Sequence, residues 1–145
     1  MMLWNKPKPV VIVGAGRLGS SLAGSFSAKG YNVVVIDKEA SAFRRLPVSF
    51  NGFQVHGDAT DIDVLLKAGI NNAEYFIACT NNDNVNSMVA QIASRIYNIP
   101  KVYARLNDTL KGKLLEGYNI QPIYPAELSV KEFERISHMD LGEEL

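Results

Sequence analysis

The chain has 145 residues, 47% of them apolar and 21% charged, with 15 Lys plus Arg balancing 15 Asp plus Glu. That length fits one domain of about 100–200 residues. The neutral balance argues against a nucleic-acid binder that relies on a strongly basic surface, and against a highly charged disordered chain. The single cysteine, Cys79, excludes an intrachain disulfide and a zinc site built on paired cysteines, and it fits a reducing, cytoplasmic setting.

Residues 1–8 read as a tail: Pro7 and Pro9 disfavour helix, and Trp4 is the one side chain there suited to docking. The tail has neither the apolar core nor the small-residue cleavage site of a signal peptide. Apolar runs such as Val10–Val13 and Val33–Ile36 have four residues each, far below the ~18 of a membrane span.

Strand-like runs then alternate with helical patterns. The strand candidates are Val10–Val13, Asn32–Asp37, Phe53–His56, Tyr75–Ala78, Lys101–Leu106 and Gln121–Tyr124. They are short, rich in β-branched and aromatic residues, and bounded by Gly, Asn, Asp or Pro. Several are apolar at consecutive positions, as in strands covered on both faces. Between them, Arg17–Lys29 carries Leu18, Leu22 and Phe26 at four-residue spacing and stops at Gly30. Thr60–Ala68 reads as a helix with a Thr cap and Asp63 three residues on, ended by Gly69. Asp83–Asn98 has Val85, Met88, Val89, Ile92, Ala93 and Ile96 on one continuous helical face. Asp108–Glu116 is expected to turn Leu110, Leu114 and Leu115 inward, and Ala126–His138 has Val130, Phe133 and Ile136 for an apolar face. Six strands alternating with helices predict right-handed βαβ units and a Rossmann-like, doubly wound, mainly parallel α/β sheet in a single domain over residues 9–139, followed by an acidic tail at 140–145.

The run Gly14-Ala15-Gly16-Arg17-Leu18-Gly19 follows the first strand and opens a helix. In such a loop the first glycine makes the tight turn, the second lets the backbone approach a diphosphate, and the third allows close helix–strand packing. The helix N-terminus then offers free N–H groups and a positive dipole end to phosphate. Arg17 is electrostatically misplaced at a helix start unless a phosphate offsets it. Asp37 ends the second strand, where an acid accepts the ribose hydroxyls and repels a 2′-phosphate, so NADP is disfavoured. Lys38 follows it and joins Leu18 in the candidate set.

Three further loops reach the same sheet edge, where ligands of open α/β sheets bind. In the third loop Thr60 and Asp61 read as caps, and Asp58 and Ala59 are placed to line an adenine pocket. In the fourth, Thr80 and Asn81 approach ribose or phosphate, while Asn82 or Asp83 caps the following helix. Arg105, ending the fifth strand, either reaches a phosphate from the opposite side or pairs with a nearby Asp. His56, His138 and Cys79 read as structural.

Taken together, G-A-G-R-L-G, the acid ending the second strand, H-G-D-A-T-D, A-C-T-N-N-D-N and Y-A-R over Val10–Glu127 resemble the TrkA-N (RCK/KTN) family of cytoplasmic nucleotide-binding subunits that regulate bacterial potassium channels and transporters. The resemblance implies that Gly14, Gly16, Arg17 and Gly19 hold phosphates and Asp37 the ribose. It places Asp58 and Ala59 at the adenine, Thr80 and Asn81 near the nucleotide, and Arg105 on its phosphate side. It implies NAD(H) or an adenine nucleotide as ligand, and the arginine at position 17 favours ATP, ADP or AMP. It further implies a homodimer or larger oligomer, paired through the sheet edge and late helices, and a membrane-embedded potassium channel or transporter as partner at the inner face of the membrane. Two departures stand out. The chain ends without the second C-terminal lobe many members carry, which points to a companion chain supplying it, and Pro125-Ala126-Glu127 replaces the family's Pro-Glu.

The rival reading is an NAD-dependent oxidoreductase or its cofactor-binding subunit. Tyr97 and Lys101 match the Y-x-x-x-K spacing of short-chain dehydrogenases. That pair must share a helical face, and Pro100 breaks the helix between them. A nucleotide fold that uses the whole chain also leaves no substrate domain to work against a nicotinamide. A third reading, a scaffold with an idle pocket, differs from the sensor only in whether a ligand prefers one quaternary state.

Overall fold

The computed structural model describes residues 8–142, so Trp4 and the expected tail before Lys8 lie outside it, as do residues 143–145. The central strand β1 (Val10–Val13) is buried along its whole length and pairs with β2 (Val33–Asp37) on one side and β4 (Tyr75–Ala78) on the other. With β3 (Phe53–His56), β5 (Lys101–Arg105) and β6 (Ile120–Ile123), the sheet runs β3-β2-β1-β4-β5-β6 and every pairing is parallel. The expected doubly wound α/β sheet is therefore present, and it is wholly parallel. The direction of winding reverses between β1 and β4, which opens a crevice beyond their C-terminal ends.

The strand pleat divides the core. Val10, Ile12, Val33 and Val35 face α1 (Arg17–Ala28), with Ala23 buried and Leu18, Leu22 and Phe26 packed against them. Val11, Val13, Val34 and Ile36 face the other layer, where Leu65 of α2 (Ile62–Lys67) and Val89 and Ala90 of α3 (Asp83–Gln91) are buried. Consecutive apolar residues in β1 and β2 thus serve two cores at once, which is why these strands show no polar alternation.

Four local expectations are corrected. The helix after β3 is capped by Asp61, whose side chain accepts the Asp63 N–H, while Thr60 turns back to Asp58. The long helix after β4 stays α-helical only to Gln91 and continues as a π turn, Ile92–Ile96. The wider turn lets the Ile99 N–H reach the Ala93 carbonyl at 3.1 Å, with Asn98 at φ 52 closing the helix ahead of Pro100. Thr109–Leu115 is a 3-10 segment that buries Gly112 and Leu115, three apart, and leaves Leu110 and Leu114 68% and 66% exposed. Finally, α4 (Pro125–Ser137) forms but buries none of its residues, so Val130, Phe133 and Ile136 face out. Beyond α4 the chain folds back, the Leu141 N–H donating to the Glu134 carboxylate at 2.9 Å.

Candidate functional site

The crevice between the two halves of the sheet is a cavity of about 790 Å³. Eleven of the thirteen candidate residues line it: Gly14, Gly16, Arg17, Asp37, Lys38, Asp58, Ala59, Thr60, Thr80, Asn81 and Arg105. Leu18 and Gly19 do not. Leu18 turns away to pack on the α1-side core, and Gly19 is buried in the first turn of α1.

The three loop glycines have different reasons to be glycine. Gly14 has φ +105, and a Cβ there would sit 3.0 Å from the Cys79 and Thr80 backbone. A Cβ on Gly19 would strike the Gly14 carbonyl oxygen. Gly16, the N-cap of α1, has an ordinary φ of −75 and nothing within 4 Å of where its Cβ would be. Neither backbone nor packing requires glycine there; the free volume belongs to the cavity at the helix N-terminus.

Asp37 anchors this loop to β2. Its Oδ2 accepts the Ala15 N–H at 2.8 Å and its Oδ1 the Glu39 N–H at 2.8 Å. The Asp58 carboxyl is held below its usual range, first by the Thr60 hydroxyl, then by the Thr60 N–H, with a further contribution from the Lys38 charge. It remains an anion across the neutral range. His56 turns to the Lys38 carbonyl at 3.0 Å, a structural role.

On the far wall the polar atoms of Thr80 are engaged within the protein. Its N–H and hydroxyl both donate to Asn86 Oδ1, at 3.0 and 2.7 Å, and its carbonyl accepts from Asn86 Nδ2 at 3.0 Å. Asn82 caps α3 by accepting the Val85 N–H, while Asp83 holds the backbone N–H groups of Asn107 and Asp108. Asn86 is a residue the sequence reading missed; the Asn82–Asn86 spacing of one helical turn was its only signal.

Arg105 forms no ion pair among the described residues, which removes the alternative of a nearby Asp partner. Its Nε is buried without a hydrogen-bond acceptor, an arrangement that leaves a donor's desolvation uncompensated. Arg17, Lys38 and Arg45 also line the cavity, against Asp37, Glu39 and Asp58. Arg45 and Ser41 come from the 3-10 turn after β2, a second contribution missed from sequence; the Arg44-Arg45 pair was the available signal. Cys79 lies in the cavity wall, but burial pushes its thiol up to about 12, so it stays protonated.

The sheet order and the crevice at its reversal define a Rossmann-like α/β domain. The profile of the TrkA-N domain matches residues 10–124. The chain belongs to the TrkA-N domain family. It is 37% identical over 114 residues to the Trk system potassium uptake protein TrkA of Streptomyces coelicolor, covering 79% of this chain and 51% of that protein. It thus spans about half the length of that curated relative. Among solved structures it resembles the TrkA-N domain of the inner membrane protein ybaL from Escherichia coli, with a TM-score of 0.75, 20% identity, and 91% and 98% of the two chains covered. It also resembles the GsuK channel, with a TM-score of 0.75, 25% identity, and 90% of this chain and 23% of that one covered.

Proposed function

We propose that this chain is the non-catalytic, nucleotide-sensing module of a potassium uptake system, acting at the inner face of the membrane beside a membrane-embedded transporter. The observation that carries the reading is the buried, unpartnered Nε of Arg105 in the same cavity as the open space at Gly16 and the N-terminus of α1. Cation, helix N-terminus and free backbone approach form a receptor for phosphate. Gly14, Gly16 and Arg17 take the phosphates from one wall and Arg105 from the other. Asp37 takes the ribose, Asp58, Ala59 and Thr60 border the base, and Asn81, whose side chain makes no hydrogen bond among the described residues, reaches the sugar-phosphate.

The GsuK channel has been solved bound to ADP and bound to NAD, and the Kef CTD of Shewanella denitrificans in an AMP-bound form. For this chain, arginines on both walls favour ATP, ADP or AMP over NAD(H), since an added terminal phosphate gains contacts that a nicotinamide ribose lacks. Asp37 disfavours NADP.

Two observations support regulation over catalysis. Lys101 starts β5 at the edge opposite the cavity and donates to the Tyr75 hydroxyl at 3.2 Å, away from Tyr97. The Cys79 thiol, pushed up to about 12, is a poor nucleophile. The outward apolar residues of α4 support a homodimer or larger assembly. A nucleotide shifts such an assembly only by binding one arrangement more tightly, with couplings typically of about 1–3 kcal/mol.

Titration calorimetry of nucleotide-stripped protein with NAD, NADH, ATP, ADP and AMP tests this reading. Affinity that rises with phosphate count is expected. Preference between NADH and NAD would favour redox sensing, and binding of none would overturn the proposal.

A further inference from the structure

Asn86 is 0% exposed and does not line the cavity, yet it joins two of the cavity's walls. Its Oδ1 accepts the Thr80 N–H and hydroxyl, and its Nδ2 donates to the carbonyls of Thr80 at 3.0 Å and Arg105 at 2.8 Å. An amide has two acceptor sites and two N–H donors. All four are used, so Asn86 has nothing left for a ligand. One turn earlier on α3, Asp83 Oδ1 accepts the Asn107 N–H at 2.8 Å and Oδ2 the Asp108 N–H at 2.9 Å. The chain leaving β5 is therefore tied to α3 at Arg105, Asn107 and Asp108. Nothing among the described residues holds the buried Nε of Arg105. With no partner holding the guanidinium among the described residues, the fixed point from which that side chain reaches out is the Arg105 backbone, and Asn86 holds its carbonyl at 2.8 Å.

We infer that Asn86 is a positioning residue of the nucleotide site: by tying the Arg105 carbonyl and the Thr80 loop to α3, it aims the Arg105 guanidinium at the terminal phosphates. The inference rests on the adenine-nucleotide reading above. Only a side chain with adjacent donors and acceptors can serve both segments, which explains an amide at this point. A purely structural role would lower stability and weaken every nucleotide alike. A positioning role acts on the phosphate increment, because Arg105 meets the phosphate end and not the base.

The test is calorimetry of the full chain with AMP, ADP and ATP, for the unaltered protein, Asn86→Ala, Arg105→Gln and the double variant. Asn86→Ala is expected to compress the ATP-to-AMP affinity ratio about tenfold, the scale of one charged hydrogen bond, with AMP binding changed much less. Added to Arg105→Gln it should compress the ratio no further, since both changes remove one interaction. A folded Asn86→Ala protein that keeps the unaltered ratio overturns the inference, as does compression that simply adds to that of Arg105→Gln. Equal affinity of the unaltered protein for all three nucleotides overturns the positioning role and leaves nucleotide binding standing. Binding of none overturns both. Should Asn86→Ala fail to fold, Asn86→Asp keeps the acceptor bonds from Thr80, loses the donated pair and carries the same test.

Discussion

Asp37 Oδ2 lies 2.8 Å from the backbone nitrogen of Ala15, between the first two glycines of the loop. The acid ending β2 is thus part of the loop's own support. Its other oxygen accepts the Glu39 N–H, and each oxygen keeps acceptor capacity for the cavity. One carboxylate shapes the glycine loop and, in the proposed reading, presents itself to a ribose.

Asp37→Ala should therefore have two separable effects. Nucleotide affinity should fall by about 1.5–3 kcal/mol, the range for hydrogen bonds to a charged group. Stability should also fall by about 1–3 kcal/mol, because the N–H of Ala15, a fully buried residue, loses its acceptor. Calorimetry and urea denaturation separate the two, and unchanged affinity would remove the ribose assignment.

The loop glycines give a contrasting pair. Gly16→Ala should change stability by no more than about 1 kcal/mol, as for an N-cap exchange, since its backbone is ordinary and its surroundings are open. It should nevertheless abolish measurable nucleotide binding. Gly19→Ala should destabilise by about 1–3 kcal/mol or more, because the added carbon meets a backbone oxygen that cannot swing aside. Thermal melts with and without ATP distinguish a glycine kept for a ligand from one kept for the fold.

Cys79 provides a pH-dependent readout. With its thiol pushed up to about 12 by burial, it should resist iodoacetamide at pH 8 in the folded protein and react once urea unfolds the chain. The unfolded thiol loses its proton near pH 8.5–9, and the folded one keeps it. Deprotonation therefore favours the unfolded chain, and this contribution to stability falls as pH rises from about 9 toward 12. Rapid labelling of native protein at pH 8 would contradict the buried environment.

The outer face of α4 should matter for assembly and little for folding. Phe133 and Ile136 are 48% and 60% exposed, so Phe133→Asp with Ile136→Asp should leave the melting temperature nearly unchanged. Light scattering should show the assembly reduced to monomer. An unaltered oligomer would place the contact elsewhere.

The strands were readable because their signals are local: consecutive β-branched residues at Val10–Val13 and Val33–Ile36 mark central parallel strands, and β1 and β2 lie where that pattern placed them. The cavity lining was readable because loops after successive parallel strands must meet at one edge. What escaped depended on distant partners. No local rule says that Asn86 will reach the carbonyl of Arg105 or that Asp83 will hold residues 107 and 108. Leu110 and Leu114 face out, where an α-helical period predicts them inward, because their segment winds with three residues per turn. Val130, Phe133 and Ile136 do form an apolar set, but amphipathicity states that a face seeks cover and not whether the same chain supplies it.

The switch in strand order has a mechanical consequence. The glycine loop and Asp37 belong to the half of the sheet built before α2, whereas Thr80 and Arg105 belong to the half built after it. The two halves meet along the β1–β4 seam, where the Cys79 N–H reaches the Val13 carbonyl at 2.9 Å. In the proposed reading, a nucleotide clasped between them spans that seam like a rivet. Cutting the chain between α2 and β4 would leave two fragments, each with half a clasp, and the ligand would become the glue that favours their rejoining. In the intact chain the same geometry would make occupancy a brace against shear along the middle of the sheet.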